Sequence, residues 1–282
     1  KSESLIRGPC VIGRESVVET GPKQLIPVAN KPISQYVLED LKDSGIKEIA
    51  IILGEVYPDK IKEQYGNGTK FGVKISYIKQ DEPKGIAHAI ALCKNFIGND
   101  RFVVYLGDNI LKGGIEKYVD NFTKNNYDAM VLLAKVRDPS KFGVAKFDSK
   151  KNLTQLIEKP KEPPSNYALT GIYFLSPVIF DFIDGLKPSW RGELEITDAL
   201  QSLISKGRNI GYDFVKGWWK DTGTPEDILD VNRLILDEMK PSIKGIIEKN
   251  SSIQGRISVD EKAVIKSESL IRGPCVIGRE SV

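Results

Sequence analysis

Between Pro32 and about Met239 the apolar positions alternate between helical spacing and short β-branched runs, the rhythm of an α/β domain. ISQYVLEDLKDSGI (33–46) has apolar residues at helical spacing and a glycine stop, while EIAIIL (48–53) reads as a buried strand. KISYI (74–78), GIAHAIALCKNF (85–96) and RFVVYLGDN (101–109) repeat the alternation. The later half predicts strands over AMVLLAKV (129–136) and ALTGIYFL (168–175), separated by the proline-rich connector KPKEPPSN (159–166). A helix is predicted over ELEITDALQSLISK (193–206) and another over TPEDILDVNRLILDEM (224–239). In the last, Thr224 suits the N-cap, Pro225 the first helical position, and acids fill the first turn.

After Met239 the period changes to six. Ile247, Ile253, Val259, Ile265, Ile271 and Ile277 recur without a miss, among small and polar residues and glycines at 255, 273 and 278. Neither a helix nor a flat strand has that period. A left-handed parallel β-helix of hexapeptide repeats does, with each aliphatic residue pointing inward. So few turns bury little by themselves, so this appendage is expected to pack on the main domain or on another subunit, or to continue past Val282.

Composition narrows the function. With 41 basic and 38 acidic residues the net charge is +3, spread through a mixed surface, which points away from nucleic acid and anionic membrane as partners. No apolar run reaches membrane-spanning length, and no signal-peptide pattern opens the chain. Cys10, Cys93 and Cys275 have no metal-ligand spacing, so a reduced, cytoplasmic setting is the default.

The chemistry-bearing residues cluster at predicted strand ends. FVVYLGDN closes an apolar strand on Gly107-Asp108, where an acid meets a hard cation or serves as a turn or cap residue. Asp221, in the glycine-rich GWWKDTGTPED, has the same two readings, and two carboxylates plus waters and phosphate oxygens are a common Mg²⁺ set. Lys23 and Lys159 each flank a proline in a short connector, as anion ligands or as solvated charges. The single histidine, His88, lies inside a helical pattern and suits a packed position better than a catalytic base. Phosphoryl-group transfer needs positioning and charge stabilisation rather than a protein nucleophile, and this inventory suits it.

Seven blocks resemble the sugar-1-phosphate nucleotidyltransferases in order and spacing: TGPKQLIPVANKPISQY (20–36), QDEPKGIAHAI (80–90), YLGDNI (105–110), KFGVAKF (141–147), EKPKEPPSNYALTGIYFL (158–175), PSWRGELEITDAL (188–200) and GWWKDTGTPEDILDVNRLI (217–235). The nearest likeness is to the long form of glucose-1-phosphate thymidylyltransferase, which carries a C-terminal hexapeptide extension. The resemblance implies a mostly parallel, Rossmann-like nucleotidyltransferase sheet over 19–239 and a short left-handed β-helix over 240–282. It further implies Mg²⁺ on Asp108 and Asp221, Lys23 on the transferring phosphate, and Gln24, Gln80 and Gly85 at the nucleotide. Gly143, Glu158, Lys159, Gly171 and Tyr173 fall on the sugar-phosphate side, with Glu158 accepting sugar hydroxyls and Lys159 holding the phosphate nucleophile. The implied partners are a nucleoside triphosphate, a sugar-1-phosphate and further copies of the chain. The implied reaction is an in-line attack of glucose-1-phosphate on dTTP that releases pyrophosphate, with UTP as the alternative donor.

The N-terminus departs from the pattern. KSESLIRGPCVIGRESV at 1–17 is identical to 266–282 and stands where the family has a strand and a glycine-rich GGxGTRLxPLT loop that cradles the triphosphate. Three origins fit the copy: an overwritten front, a rearranged or engineered chain, or a native substitution that weakens triphosphate binding. No loop residue is therefore assigned, and a catalytically impaired sugar-nucleotide binding or assembly protein stays open beside the active enzyme. Ile6, Ile12 and Val18 keep the period of six, so residues 1–18 are expected to form β-helix-like turns rather than a central strand.

Overall fold

The computed structural model describes residues 10–12, 17–18, 21–55 and 57–282. Two compact units divide it: 1–25 with 34–221, and 26–33 with 222–282. The sequence reading puts the boundary at 239; here the helix Pro225–Glu238 belongs with the C-terminal strands.

The first unit is built on a sheet that runs, among the described residues, in the order Leu153–Glu158, Gly143–Phe147, Tyr167–Leu175, Phe102–Leu106, Cys10–Ile12, Glu48–Leu53, Lys74–Lys79. Ala129–Lys135 branches from Tyr167–Leu175 and pairs onward with Ile210–Phe214. From 102–106 to 74–79 the strands are parallel, as are 129–135 and 210–214. The 167–175 strand is antiparallel to three neighbours, and 143–147 is antiparallel to 153–158. The sheet is thus mixed, which corrects the expectation of a mostly parallel one. For one of these antiparallel pairs the cause is connection length. Gly143–Phe147 and Leu153–Glu158 are joined by a tight turn in which Asp148 Oδ1 accepts from the N–H groups of Lys150 and Asn152, and so short a link joins only antiparallel strands.

The second correction is at the N-terminus. Cys10–Ile12 pairs in parallel with Ala50–Ile52 on one side and with Val104–Leu106 on the other, in the middle of the sheet. This part of the copied string is therefore a central strand and not a β-helix-like turn; Leu5, Ile6 and the stretch 13–16, where the phosphate loop is expected, lie outside the described residues.

Strand alternation gives the sheet two apolar faces. Phe102, Val104, Val131 and Tyr173 face a layer that includes Ala87, Ile90, Phe180 and Leu200, while Val103, Tyr105, Met130 and Phe174 face Val37, Leu41, Tyr118 and Phe122. Helices cover both, a three-layer α/β arrangement. The helix Ile33–Asp43 shows why: Val37, Leu38 and Leu41 are buried on one stripe, and it stops at Gly45 (φ 84°), where Ile46 N–H reaches back to the Leu41 carbonyl.

In the second unit the helix Pro225–Glu238 starts with a reciprocal capping box: Asp227 N–H donates to Thr224 Oγ1 and Thr224 N–H donates to Asp227 Oδ2. After it come short strands in parallel ladders. Ile247 faces Ile265, Ile253 faces Ile271 and Val259 faces Ile277, each pair three six-residue steps apart. Ile257, Val259, Ala263 and Ile265 are buried at the centre, with Ile253, Ile271 and Ile277 packed on them. Ile247, the first of the series, is exposed.

Candidate active site

Asp108 follows directly on the strand Phe102–Leu106 and its turn, and it is 6% exposed. Beyond it Asn109–Leu111 pairs antiparallel with Trp219–Asp221, and the register sets Asp221 opposite Asn109. This two-stranded ladder is what brings the two candidate metal ligands, more than a hundred positions apart, to the lining of one cavity. Lys23, in the 3₁₀ turn Lys23–Leu25, is buried and places Nζ 2.8 Å from Asp108 Oδ2. Asn109 Nδ2 donates to Asp108 Oδ1 at 2.8 Å, and Trp219 Nε1 donates to Asn109 Oδ1 at 2.8 Å. Both carboxylate oxygens of Asp108 are therefore oriented, one by a cation and one by an amide that the indole holds in turn.

Five further predicted residues line the same cavity: Gly143, Glu158, Lys159, Gly171 and Tyr173. Gly143 pairs with Glu158 across the hairpin, and a Cβ on Gly143 would lie 3.2 Å from Glu158 Oε2 and 2.6 Å from Leu169 Cδ1. Gly171 has φ +71° beside the irregularity where Leu132 drops out of register, and its missing Cβ would meet Leu106 Cδ1 at 2.8 Å. Lys159 carries a left-handed φ of 42°, uncommon for a long side chain, and its N–H is tied to the Phe142 carbonyl at 3.0 Å.

The carboxylate of Glu158 is held by residues that the sequence reading did not single out. Thr197 Oγ1 donates to Oε2 at 2.6 Å, and Arg191 Nη1 lies 3.8 Å from Oε1. Arg191 is shared with Glu193 (2.7 Å) and with the buried Glu195 (3.2 Å), which also lines the cavity. Burial, and after it the charge of Glu158, raises the pKa of Glu195 above the ordinary carboxylate value; Asp198 is shifted the same way for the same two reasons. The one signal for this group in the chain is that Arg191, Glu195 and Thr197 sit together in PSWRGELEITDAL.

Gln24, Gln80 and Gly85 are not among the cavity's lining residues. Gln24 is the neighbour of Lys23 in its turn and gives its carbonyl to Ser34 Oγ at 2.9 Å. Gln80 Nε2 lies 3.0 Å from His88 Nδ1 and 3.4 Å from the Gly85 carbonyl, so the single histidine is engaged by an amide. Gly85 immediately precedes Ile86, which does line the cavity.

Among the described residues no group of three or more histidine, cysteine or acidic side chains is placed to hold a metal ion. The donor set here is a pair, Asp108 and Asp221, which fits an octahedral hard cation completed by water and phosphate oxygens. Such an ion would share Asp108 with the Lys23 ammonium. No helix among the described residues is long and apolar enough to cross a membrane.

A mixed α/β sheet with acids, a lysine and close-approach glycines around one cavity is an arrangement suited to handling phosphoryl groups. Residues 17–238 match the nucleotidyl transferase family, and the chain belongs to it as a nucleotidyltransferase. It is 50% identical over 247 residues to the low-salt glycan biosynthesis nucleotidyltransferase Agl11 of Haloferax volcanii, covering 88% of this chain and 69% of that protein. It is 42% identical over 262 residues to the glucose-1-phosphate thymidylyltransferase of Streptomyces griseus, covering 93% of this chain and 73% of that one. A Bacillus anthracis protein assigned as a glucose-1-phosphate thymidylyltransferase, solved in complex with a sucrose, superposes with a TM-score of 0.76 at 38% identity over 84% of this chain and 97% of its own.

Proposed function

We propose that this chain transfers the nucleotidyl group of dTTP to glucose-1-phosphate, giving dTDP-glucose and pyrophosphate. The observation that carries the reading is the single cavity on which Asp108, Asp221, Glu158 and Lys159 converge, with Lys23 held on Asp108. The sugar-1-phosphate oxygen attacks the α-phosphate in line while pyrophosphate leaves on the opposite side. Lys159 holds the attacking phosphate and Lys23 the transferred one, which offsets a repulsion between two anions that is large in a dry site. Glu158, braced by Thr197 and Arg191, accepts the sugar hydroxyls. Asp108 and Asp221 would hold a Mg²⁺, whose chemistry is to neutralise charge on the phosphate oxygens. Gln80 and Gly85 serve the base, with Gln24, beside Lys23, near it.

UTP is the second reading, because a glutamine amide such as that of Gln80 pairs equally well with the donor and acceptor edge of thymine and of uracil. The C-terminal ladders, with partners three six-residue steps apart, support a left-handed β-helix of hexapeptide repeats and, through its exposed Ile246 and Leu270, self-association. The setting proposed is cytoplasmic.

Pyrophosphate release from dTTP or UTP, with glucose-1-phosphate and Mg²⁺, tests the reading against Asp108→Ala. Turnover faster with dTTP and abolished in the variant is expected. Faster turnover with UTP moves the assignment to the second donor, and none above the variant leaves only sugar-nucleotide binding.

A further inference from the structure

Lys23 and Gln24 stand on a 3₁₀ turn of only three residues, an element with poor hydrogen-bond geometry of its own. Its backbone is braced from behind. Ser34 Oγ, 7% exposed in the first turn of the helix Ile33–Asp43, donates to the Gln24 carbonyl at 2.9 Å. Tyr65, the last residue of the helix Pro58–Tyr65 and 2% exposed, brings its Oη to 2.5 Å from the same Ser34 Oγ. A serine hydroxyl has one proton, and Gln24 takes it. The hydroxyl between Tyr65 and Ser34 must therefore be donated by the tyrosine, and the chain of bonds runs in one direction: Tyr65 to Ser34 to the Gln24 carbonyl.

The turn so fixed ends on the ion pair of Lys23 with Asp108. The helix end that supplies Tyr65 is tied a second time: Tyr77 Oη donates to the Gly66 carbonyl at 2.6 Å, and Tyr77 belongs to the strand Lys74–Lys79 that leads into Gln80. One helix terminus is thus bonded to the strand that leads into Gln80 and, through Ser34, to the turn that bears Lys23 and Gln24.

We propose that Ser34 and Tyr65 are positioning residues for the nucleotide side of the reaction, acting through the Gln24 carbonyl to hold Lys23 on its phosphate. The proposal rests on the reading of Lys23 given above. A lost bond here removes one donor from a buried carbonyl and lets the lysine wander, and misplacement by about 1 Å is enough to cost up to about a hundredfold in rate. A phenol is protonated across the neutral range, and burial raises the pKa of Tyr65 further, so the donor is present there.

The test compares Ser34→Ala, Tyr65→Phe, the double variant and Lys23→Ala. Steady-state kinetics with each substrate varied, dTTP affinity by calorimetry and thermal melting are measured on the full chain. Ser34→Ala is expected to lower kcat/KM for dTTP about tenfold, with KM for the sugar phosphate within about twofold of the parent. Tyr65→Phe is expected to show the same substrate split at about threefold, because Ser34 keeps its bond to Gln24. In the Ser34→Ala background the Tyr65 hydroxyl has already lost its bond to Ser34, so the double variant is expected to be no worse than Ser34→Ala. A folded Ser34→Ala with unchanged dTTP parameters, or with equal losses on both substrates, overturns the proposal. Should Ser34→Ala not fold, Tyr65→Phe decides by the same split. A Lys23→Ala protein as active as the parent overturns the reading of Lys23 and this proposal with it; an inactive Lys23→Ala beside a neutral Ser34→Ala overturns this proposal alone.

Discussion

Gly85→Ala separates backbone strain from close packing at the nucleotide side. Gly85 has φ 103° and ψ 174°, a region that only glycine occupies freely, and forcing alanine there costs about 1–3 kcal/mol. The new Cβ would also lie 2.6 Å from the Leu194 carbonyl oxygen and 2.8 Å from its nitrogen. These are main-chain atoms that cannot swing aside, and overpacking of this kind costs about 1–3 kcal/mol more. The sum, about 4 kcal/mol, would lower the melting temperature by roughly 10 °C in a domain of this size. Gly72→Ala is the control. Its φ is 74° with nothing within 4 Å of the added Cβ, so strain alone remains, about 1–2 kcal/mol and roughly 4 °C. The functional consequence differs as well. Leu194 is hydrogen-bonded to Lys84 and Ala87, and Gln80 Nε2 reaches the Gly85 carbonyl, so displacing this junction moves Gln80 and should raise KM for dTTP. Paired melting curves and dTTP saturation curves check both halves. Equal melting shifts for the two glycines, or an unchanged KM in Gly85→Ala, would refute the reasoning.

Glu195→Gln should alter the pH dependence of stability. The folded chain holds the Glu195 proton more tightly than the unfolded chain does, so ionisation of this group lowers stability as pH rises from its ordinary value of 4.5 upward. The melting-temperature difference between variant and parent is therefore expected to move in the variant's favour across that window, and a flat difference would sink the assignment. Thr224→Ala removes the side-chain half of a capping box and should cost about 1 kcal/mol, read as a lower midpoint in chemical denaturation, with an unchanged midpoint counting against the cap.

Two carboxylates that line the cavity could be picked from the sequence because Asp108 follows Gly107 at the end of an apolar run and Asp221 follows an aromatic pair in a glycine-rich turn. The bracing around the site could not. Thr197 lies in ITDAL, an ordinary helical pattern, and acquires its meaning only when Glu158, from a distant hairpin, comes within 2.6 Å. Asn109 and Trp219 are likewise joined by a two-stranded ladder that no local spacing announces. Ser34 reads as the first turn of a helix, and its hydroxyl is noticed only when a tyrosine and a main-chain carbonyl close on it. Periodicity reports which face of an element is buried; it is silent about which partner waits there.

The tripeptide Cys-Val-Ile makes the division plain. It occurs at 10–12 and at 275–277 inside identical seventeen-residue strings, and in both places it is a strand, since a β-branched pair favours extended backbone wherever it lies. That much the residues dictate by themselves. At 275–277 its neighbour is Ile257–Val259 in a parallel ladder of the C-terminal unit, whereas at 10–12 it is flanked by Ala50–Ile52 and Val104–Leu106 at the centre of the main sheet. A strand offers the same row of N–H and C=O groups to any edge that can be brought alongside, so the partner is chosen by the chain around it and by the faces that chain must bury.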